Sequence, residues 1–233
     1  MMVADDLQAQ VRANVLRIHA RVAAAAERAG RNPASVTLIA VSKTFPPAAI
    51  AAAVAAGVSN IGENRVQEAE AKRQALDAAG VRPVWRLIGH LQSNKVKTAL
   101  QVFDTLDAID SLRLAETVSR HAVATVPVLI EINVAGEASK FGFTIEEAAD
   151  AAERIAALPR LDVRGFMTVA PPAADPEAVR PVFRRLRELG DRCGLPDLSM
   201  GMSHDFEVAI EEGATMVRVG RAIFGERADP APR

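Results

Sequence analysis

A second cysteine is missing. Cys193 stands alone among 233 residues, which excludes an internal disulfide and any zinc site built on cysteine pairs, and fits a reducing compartment. An excess of one charge is missing too. Lys and Arg number 28 against 29 Asp and Glu, a formal net charge of -1, so the chain is not built to coat nucleic acid or anionic lipid. No run approaches the ~18 apolar residues of a membrane-crossing helix. Asp5 and Asp6, ahead of an amphipathic stretch, are the wrong order for a secretory signal. No Gly/Ser linker, low-complexity block or charge run divides the sequence. One cytoplasmic domain over residues 1–233 is therefore expected. A chain of this length buries roughly 70% of its unfolded surface, and 49% hydrophobic with 24% charged residues is ordinary for a globular protein.

What the sequence does contain is one alternating pattern. Leu7, Val11, Val15, Ile18, Val22 and Ala26 recur every three or four residues and predict a long first helix, ended by Gly30, Asn32 and Pro33. Short apolar runs rich in β-branched residues follow at Val36–Ser42, Val58–Gly62, Val84–Ile88, Val102–Leu106, Val126–Val134, Val163–Val169, Leu198–Gly201 and Thr215–Val219. Helical stretches separate them: Pro46 to Gly57, Val66 to Ala79, Asn94 to Leu100, a helix capped by Ser111 and running to Ala122, one opened by a Thr144/Glu147 capping box, Pro176 to Gly190, and Asp205 to Glu212. Eight strands alternating with helices in ~250 residues predict a closed (β/α)8 TIM-type barrel with an extra N-terminal helix. An open doubly wound sheet usually has five or six strands. The tail from Arg227 is expected to be frayed.

A barrel of this kind carries its active site where the strands end. The first strand ends in Ser42-Lys43-Thr44. A lysine there, desolvated by its apolar surroundings, is suited to act as a nucleophile or form a Schiff base; equally, it can snorkel to solvent. The second ends in Gly62-Glu63-Asn64-Arg65 and the third in Gly89-His90, polar clusters that serve as well for helix caps as for chemistry. His121 and His204 are far from His90 in sequence, so no metal site is expected. The ends of the seventh and eighth strands, Gly201-Met202-Ser203 and Arg218-Val219-Gly220-Arg221, fall where this fold gathers backbone N–H groups around a phosphate. Lysine opposite such a cradle suits a phosphorylated carbonyl compound. Met200, Trp85 and Phe166 read as packing residues, and Cys193 as chemically idle.

These residues resemble the pyridoxal 5′-phosphate homeostasis family, single-domain relatives of the alanine racemase N-terminal barrel. The stretches that carry the resemblance are Ala40–Thr44, Ile61–Gln67, Ile88–Lys95, Ile132-Asn133 through Lys140, Gly165–Thr168, Leu198–Ser203, Ala209 through Gly213, and Val217–Gly225. The resemblance implies that pyridoxal phosphate is held as a Schiff base on Lys43, with Asn64 and Met167 against the ring and Ser203 and Gly220 on the phosphate. It further implies that Arg218 faces the pyridine nitrogen, which makes the ring a poorer electron sink than an aspartate would. Arg221 stands where many relatives have Ser or Thr; its guanidinium either replaces a hydroxyl contact or points to solvent. Lys140 is read two ways, as a second cofactor contact or as a solvated loop lysine.

The function this implies is storage, buffering or delivery of the cofactor, with apo-enzymes as recipients and no catalytic residue; outer helical faces rich in Ala and Arg, with no large apolar patch, predict a monomer. The alternative is an amino-acid racemase, which needs a base on each face of its substrate. In the full racemase the second base is a tyrosine on a further domain, and this chain has no tyrosine. A lysine aldolase acting on a sugar phosphate is the third reading, separable because it lacks visible absorption.

Overall fold

The β-branched runs become eight parallel strands: β1 (Thr37–Val41), β2 (Asn60–Glu63), β3 (Val84–Leu87), β4 (Thr105–Ile109), β5 (Val126–Glu131), β6 (Leu161–Met167), β7 (Asp197–Met202) and β8 (Met216–Val219). In the computed structural model, which describes residues 2–137 and 140–226, they pair in sequence order, and β8 returns to β1 with Leu38 opposite Val217. The barrel is closed, as expected. Around it run α1 (Met2–Arg28), α2 (Pro47–Ala55), α3 (Val66–Ala78), α4 (Val96–Val102), α5 (Leu112–His121), α6 (Ala148–Ala156), α7 (Arg180–Cys193), α8 (Phe206–Glu211) and α9 (Arg221–Phe224). The expected frayed tail lies outside the described residues. No helix among them is long and apolar enough to cross a membrane.

Three sequence expectations need correction. Val102 closes α4 and does not open a strand; β4 lies further on, at Thr105–Ile109. Thr105 and Asp107 interrupt the apolar run, yet both are buried because Asp107 pairs with Arg86 inside the barrel. The fifth strand stops at Glu131, short of Val134. Beyond it the chain turns back on itself, with the Asn133 N–H donating to the Phe143 carbonyl at 2.8 Å. The four-residue α9 was not expected; Gly220 starts it directly after β8. By contrast the capping box forms as read: the Thr144 N–H donates to Glu147 Oε2, and the Glu147 N–H to Thr144 Oγ1.

Most of the core lies between strands and helices. Inside the barrel a smaller apolar cluster of Ile39, Ala108, Leu129, Met167 and Met216 fills the middle. One glycine is demanded by geometry there: a Cβ on Gly165 would lie 1.8 Å from the Asp197 carbonyl oxygen, so any side chain would push β6 off β7. The apolar stripe of α1 (Val11, Val15, Ile18, Val22, Ala26) is buried. That helix packs on α2, α8 and α9. Arg21 forks onto Glu207 with two bonds of 2.8 Å, Arg28 pairs with Glu211, and Asn14 Nδ2 donates to the Ile223 carbonyl. The N-terminal helix thus clamps the two short helices that follow β7 and β8.

Candidate functional site

A cavity of about 550 Å³ opens where the strands end, within the range of small-molecule sites. Six of the seven residues singled out in the sequence line it: Lys43, Asn64, Ser203, Arg218, Gly220 and Arg221. Met167 does not. It lies one layer beneath, 1% exposed in the inner apolar cluster. The chain continues past β6 as extra wall, and Val169, two residues on and so on the same face, reaches the cavity instead. Another groove, of about 510 Å³, lies between α1 and α2, but alanines, Leu16, Gln8 and Arg12 line it without converging polar groups.

On the β7–β8 side a glycine turn and two hydrogen bonds fix the backbone that borders the cavity. Gly201 turns the chain with φ +89°, and a Cβ there would lie 2.5 Å from the Ala209 side chain. Asp205 Oδ1 accepts from the Met202 N–H at 2.6 Å and fixes the loop. The Gly220 N–H donates to Ser203 Oγ at 3.3 Å, which leaves the serine's own proton to donate elsewhere. At the start of α9 the Arg221 and Ala222 N–H groups have no acceptor inside the helix, whereas those of Ile223 and Phe224 donate to the Gly220 carbonyl. Arg221 borders the cavity from an exposed position.

Arg218 comes up from β8 into the floor of the cavity and is 4% exposed. Its Nη1 donates to the Ser199 carbonyl at 2.7 Å and to Ser199 Oγ at 2.8 Å, and its Nη2 to the Thr168 carbonyl at 2.7 Å. Burial pulls its pKa down, opposed by the charges of Asp107, Glu131 and Asp205. A guanidinium remains protonated through such a shift, so a fixed cation is held under the cavity.

Around Lys43 the structure adds Lys72 and Glu68, which the sequence reading passed over, and ties them to Glu63 of the second-strand rim. Lys72 of α3 is buried and donates to the Ser42 carbonyl, to Glu63 Oε1 and to Glu68 Oε1. Burial pushes the Glu63 pKa up against its bonds from Lys72 and Ser42. For Glu68 burial acts upward as well, but bonds from Lys72 and the Thr44 N–H prevail and lower it. The available signal was a lysine on an apolar stripe, Val66–Ala69–Lys72–Leu76. Across the mouth, His90 Nδ1 meets Asp110 Oδ2 at 2.5 Å and its ring stacks on Phe141 at 4.1 Å. Lys140 donates to the Val169 carbonyl and pairs with Glu137. Among the described residues no three His, Cys, Asp or Glu side chains are grouped to hold a metal.

The donor set has a distinct chemistry: one primary amine, a hydroxyl and backbone N–H cradle, and a buried guanidinium. It fits a phosphorylated aromatic aldehyde. Residues 13–228 match the family described as alanine racemase, N-terminal domain. Curated relatives called pyridoxal phosphate homeostasis protein are 44% identical in Pseudomonas aeruginosa, over 94% of this chain and 96% of the relative, and 44% identical in Aquifex aeolicus, over 91% and 96%. PipY of Synechococcus elongatus, solved with PLP bound, superposes with a TM-score of 0.77 at 36% identity, covering 89% of this chain and all of that one.

Proposed function

The chain belongs to the alanine racemase N-terminal domain family, and on that premise we propose that it binds pyridoxal 5′-phosphate and serves its intracellular homeostasis by storage, buffering or delivery. The observation that carries this reading is the meeting of Lys43, the Ser203–Gly220 cradle and Arg218 in one cavity. The PLP-bound state of PipY and the names of the curated relatives support it. When bound, the cofactor supplies an aldehyde and a conjugated ring. Lys43 Nζ attacks the aldehyde carbon, a C=N bond forms and water leaves, giving the Schiff base that anchors it. The Ser203 hydroxyl and the Arg221 and Ala222 N–H groups would donate to the phosphate oxygens, with Gly220 N–H orienting the serine. Asn64 and Val169 line the ring's slot, with Met167 packing from below. Arg218 donates to the ring nitrogen and keeps it unprotonated, which weakens the ring as an electron sink.

This favours carriage over turnover. A racemase needs a proton donor on the far face; the chain has no tyrosine, His90 is engaged by Asp110, and Lys140 is engaged by Glu137 and Val169. A monomeric, cytoplasmic carrier that hands its cargo to apo-enzymes is the form proposed.

The test is an absorption spectrum of the purified protein with borohydride reduction and peptide mapping. A visible band and a reduced adduct on Lys43, both lost in Lys43→Ala, are expected. Incubation with L-alanine in deuterated water should give at most slow α-proton exchange and no D-alanine. Efficient D-alanine formation that disappears in Lys43→Ala would establish the racemase instead.

A further inference from the structure

Lys43 occupies a demanding piece of backbone. The Phe45 N–H donates to the Ser42 carbonyl at 3.0 Å, which makes Ser42–Phe45 a four-residue turn with Lys43 at its second position. Thr44 occupies the third with φ +73°. Turns with a positive φ at that position ordinarily use glycine or asparagine, and a β-branched residue seldom adopts it. Something outside the turn has to hold it.

Two side chains of α3 grip the turn on both flanks of Lys43. Lys72 Nζ donates to the Ser42 carbonyl at 2.7 Å, and Glu68 Oε1 accepts from the Thr44 N–H at 2.5 Å. The grips are tied together, because Lys72 also donates to that same Glu68 oxygen at 2.7 Å. Lys72 is fixed in turn by Glu63 Oε1 at 2.6 Å, which accepts from Ser42 Oγ as well. Glu63 is fully buried and Lys72 is 6% exposed. Buried groups so paired and hydrogen-bonded have little freedom.

We infer that Lys72 is a positioning residue for Lys43, acting through the turn backbone with Glu68 as its second arm. Threonine keeps the left-handed conformation only because α3 holds both sides of the turn, and that conformation sets the direction in which the Lys43 side chain leaves the strand. The inference rests on the reading of Lys43 as the attachment residue.

Glu68→Ala is the cleanest probe, since Glu68 is partly exposed and its loss leaves the Glu63–Lys72 pair intact. In cofactor-free protein, amide exchange at Thr44 followed by NMR should speed up roughly tenfold, as expected from loss of one charge-assisted hydrogen bond. With sub-saturating pyridoxal phosphate, the borohydride-trapped fraction on Lys43 should fall by about the same factor. Adding Thr44→Gly, which removes the need for external restraint, should restore most of the trapping in Glu68→Ala. Lys72→Met should reproduce both losses; paired with Glu63→Gln, so that no carboxylate is left buried alone, it provides a folded check. Unchanged exchange and trapping in folded Glu68→Ala would overturn the inference, and so would failure of Thr44→Gly to rescue. Absence of any adduct in the wild-type protein would refute the attachment reading, while the exchange measurement still decides the positioning.

Discussion

Two arginines are buried inside the barrel, and their surroundings differ. Arg86 sits toward the N-terminal ends of the strands and forks onto Asp107 with bonds of 2.7 and 3.0 Å, while Thr105 donates to the same carboxylate. Arg218, toward the C-terminal ends, donates only to neutral oxygens of Ser199 and Thr168. One cation is closed off by its own counter-charge. The other is held by dipoles, with burial acting against its charge, at the floor of the cavity. A fully compensated ion pair has little left to offer a ligand, whereas a guanidinium held by carbonyls keeps an electrostatic demand that a bound acceptor can meet. The same residue type is closed in an ion pair at one end of the barrel and borders a cavity at the other.

The largest effect should come from breaking the closed end. Asp107→Ala strands Arg86 in the interior and should cost about 3–5 kcal/mol of stability, read from urea unfolding, while each folded molecule still retains cofactor. A loss under ~1 kcal/mol would show that Arg86 is not held by that pair. Arg218→Met should cost less, about 1–2 kcal/mol, because the acceptors it abandons are neutral and removing a buried charge gives some stability back. Its main effect should be on the cofactor: affinity about ten- to a hundredfold lower and a shifted visible band. If it destabilised as much as Asp107→Ala with the spectrum unchanged, the contrast between the two ends would collapse. The smallest change in stability belongs to Ser203→Ala, within roughly 0.5 kcal/mol of wild type, yet it should weaken cofactor retention by about 1.5–3 kcal/mol through one lost hydrogen bond to a charged acceptor. Equal retention would remove Ser203 from the site.

The contrast also explains what could be read from the sequence. Strands buried on both faces announced themselves as apolar runs, and the polar residues at their ends were visible as a rim; Lys43, Ser203 and Gly220, which line the cavity, were legible this way. The inner polar layer was hidden because Arg86, Thr105 and Asp107 look like solvent-facing residues until a third dimension brings them together. That is why β4 was placed too early. Met167 was placed one layer too high, because alternation fixes which face a residue occupies and says nothing of depth along the barrel. Lys72 and Glu68 escaped for a related reason, and Glu63 was seen only as part of the rim. Each is unremarkable alone, and only the turn at Thr44, whose φ no composition reveals, gives them a task.

The clamp made by α1 has a consequence in time. Asn14 bonds to Ile223, 209 residues later, and Arg21 to Glu207, 186 residues later, while β1 has no neighbour on one side until β8 exists. At about 5–20 residues per second of synthesis, α1 must wait on the order of ten seconds or more for α8 and α9. During that wait α2 is the native helix available to it, and the part of α1 that packs on α8 and α9 stays uncovered. The contact between Ser203 and Gly220 joins the ends of β7 and β8, so it forms only after both strands have been made. Closure of the barrel, the clamp of α1 and the contact between Ser203 and Gly220 therefore all wait on the same late elements, β8 and α9.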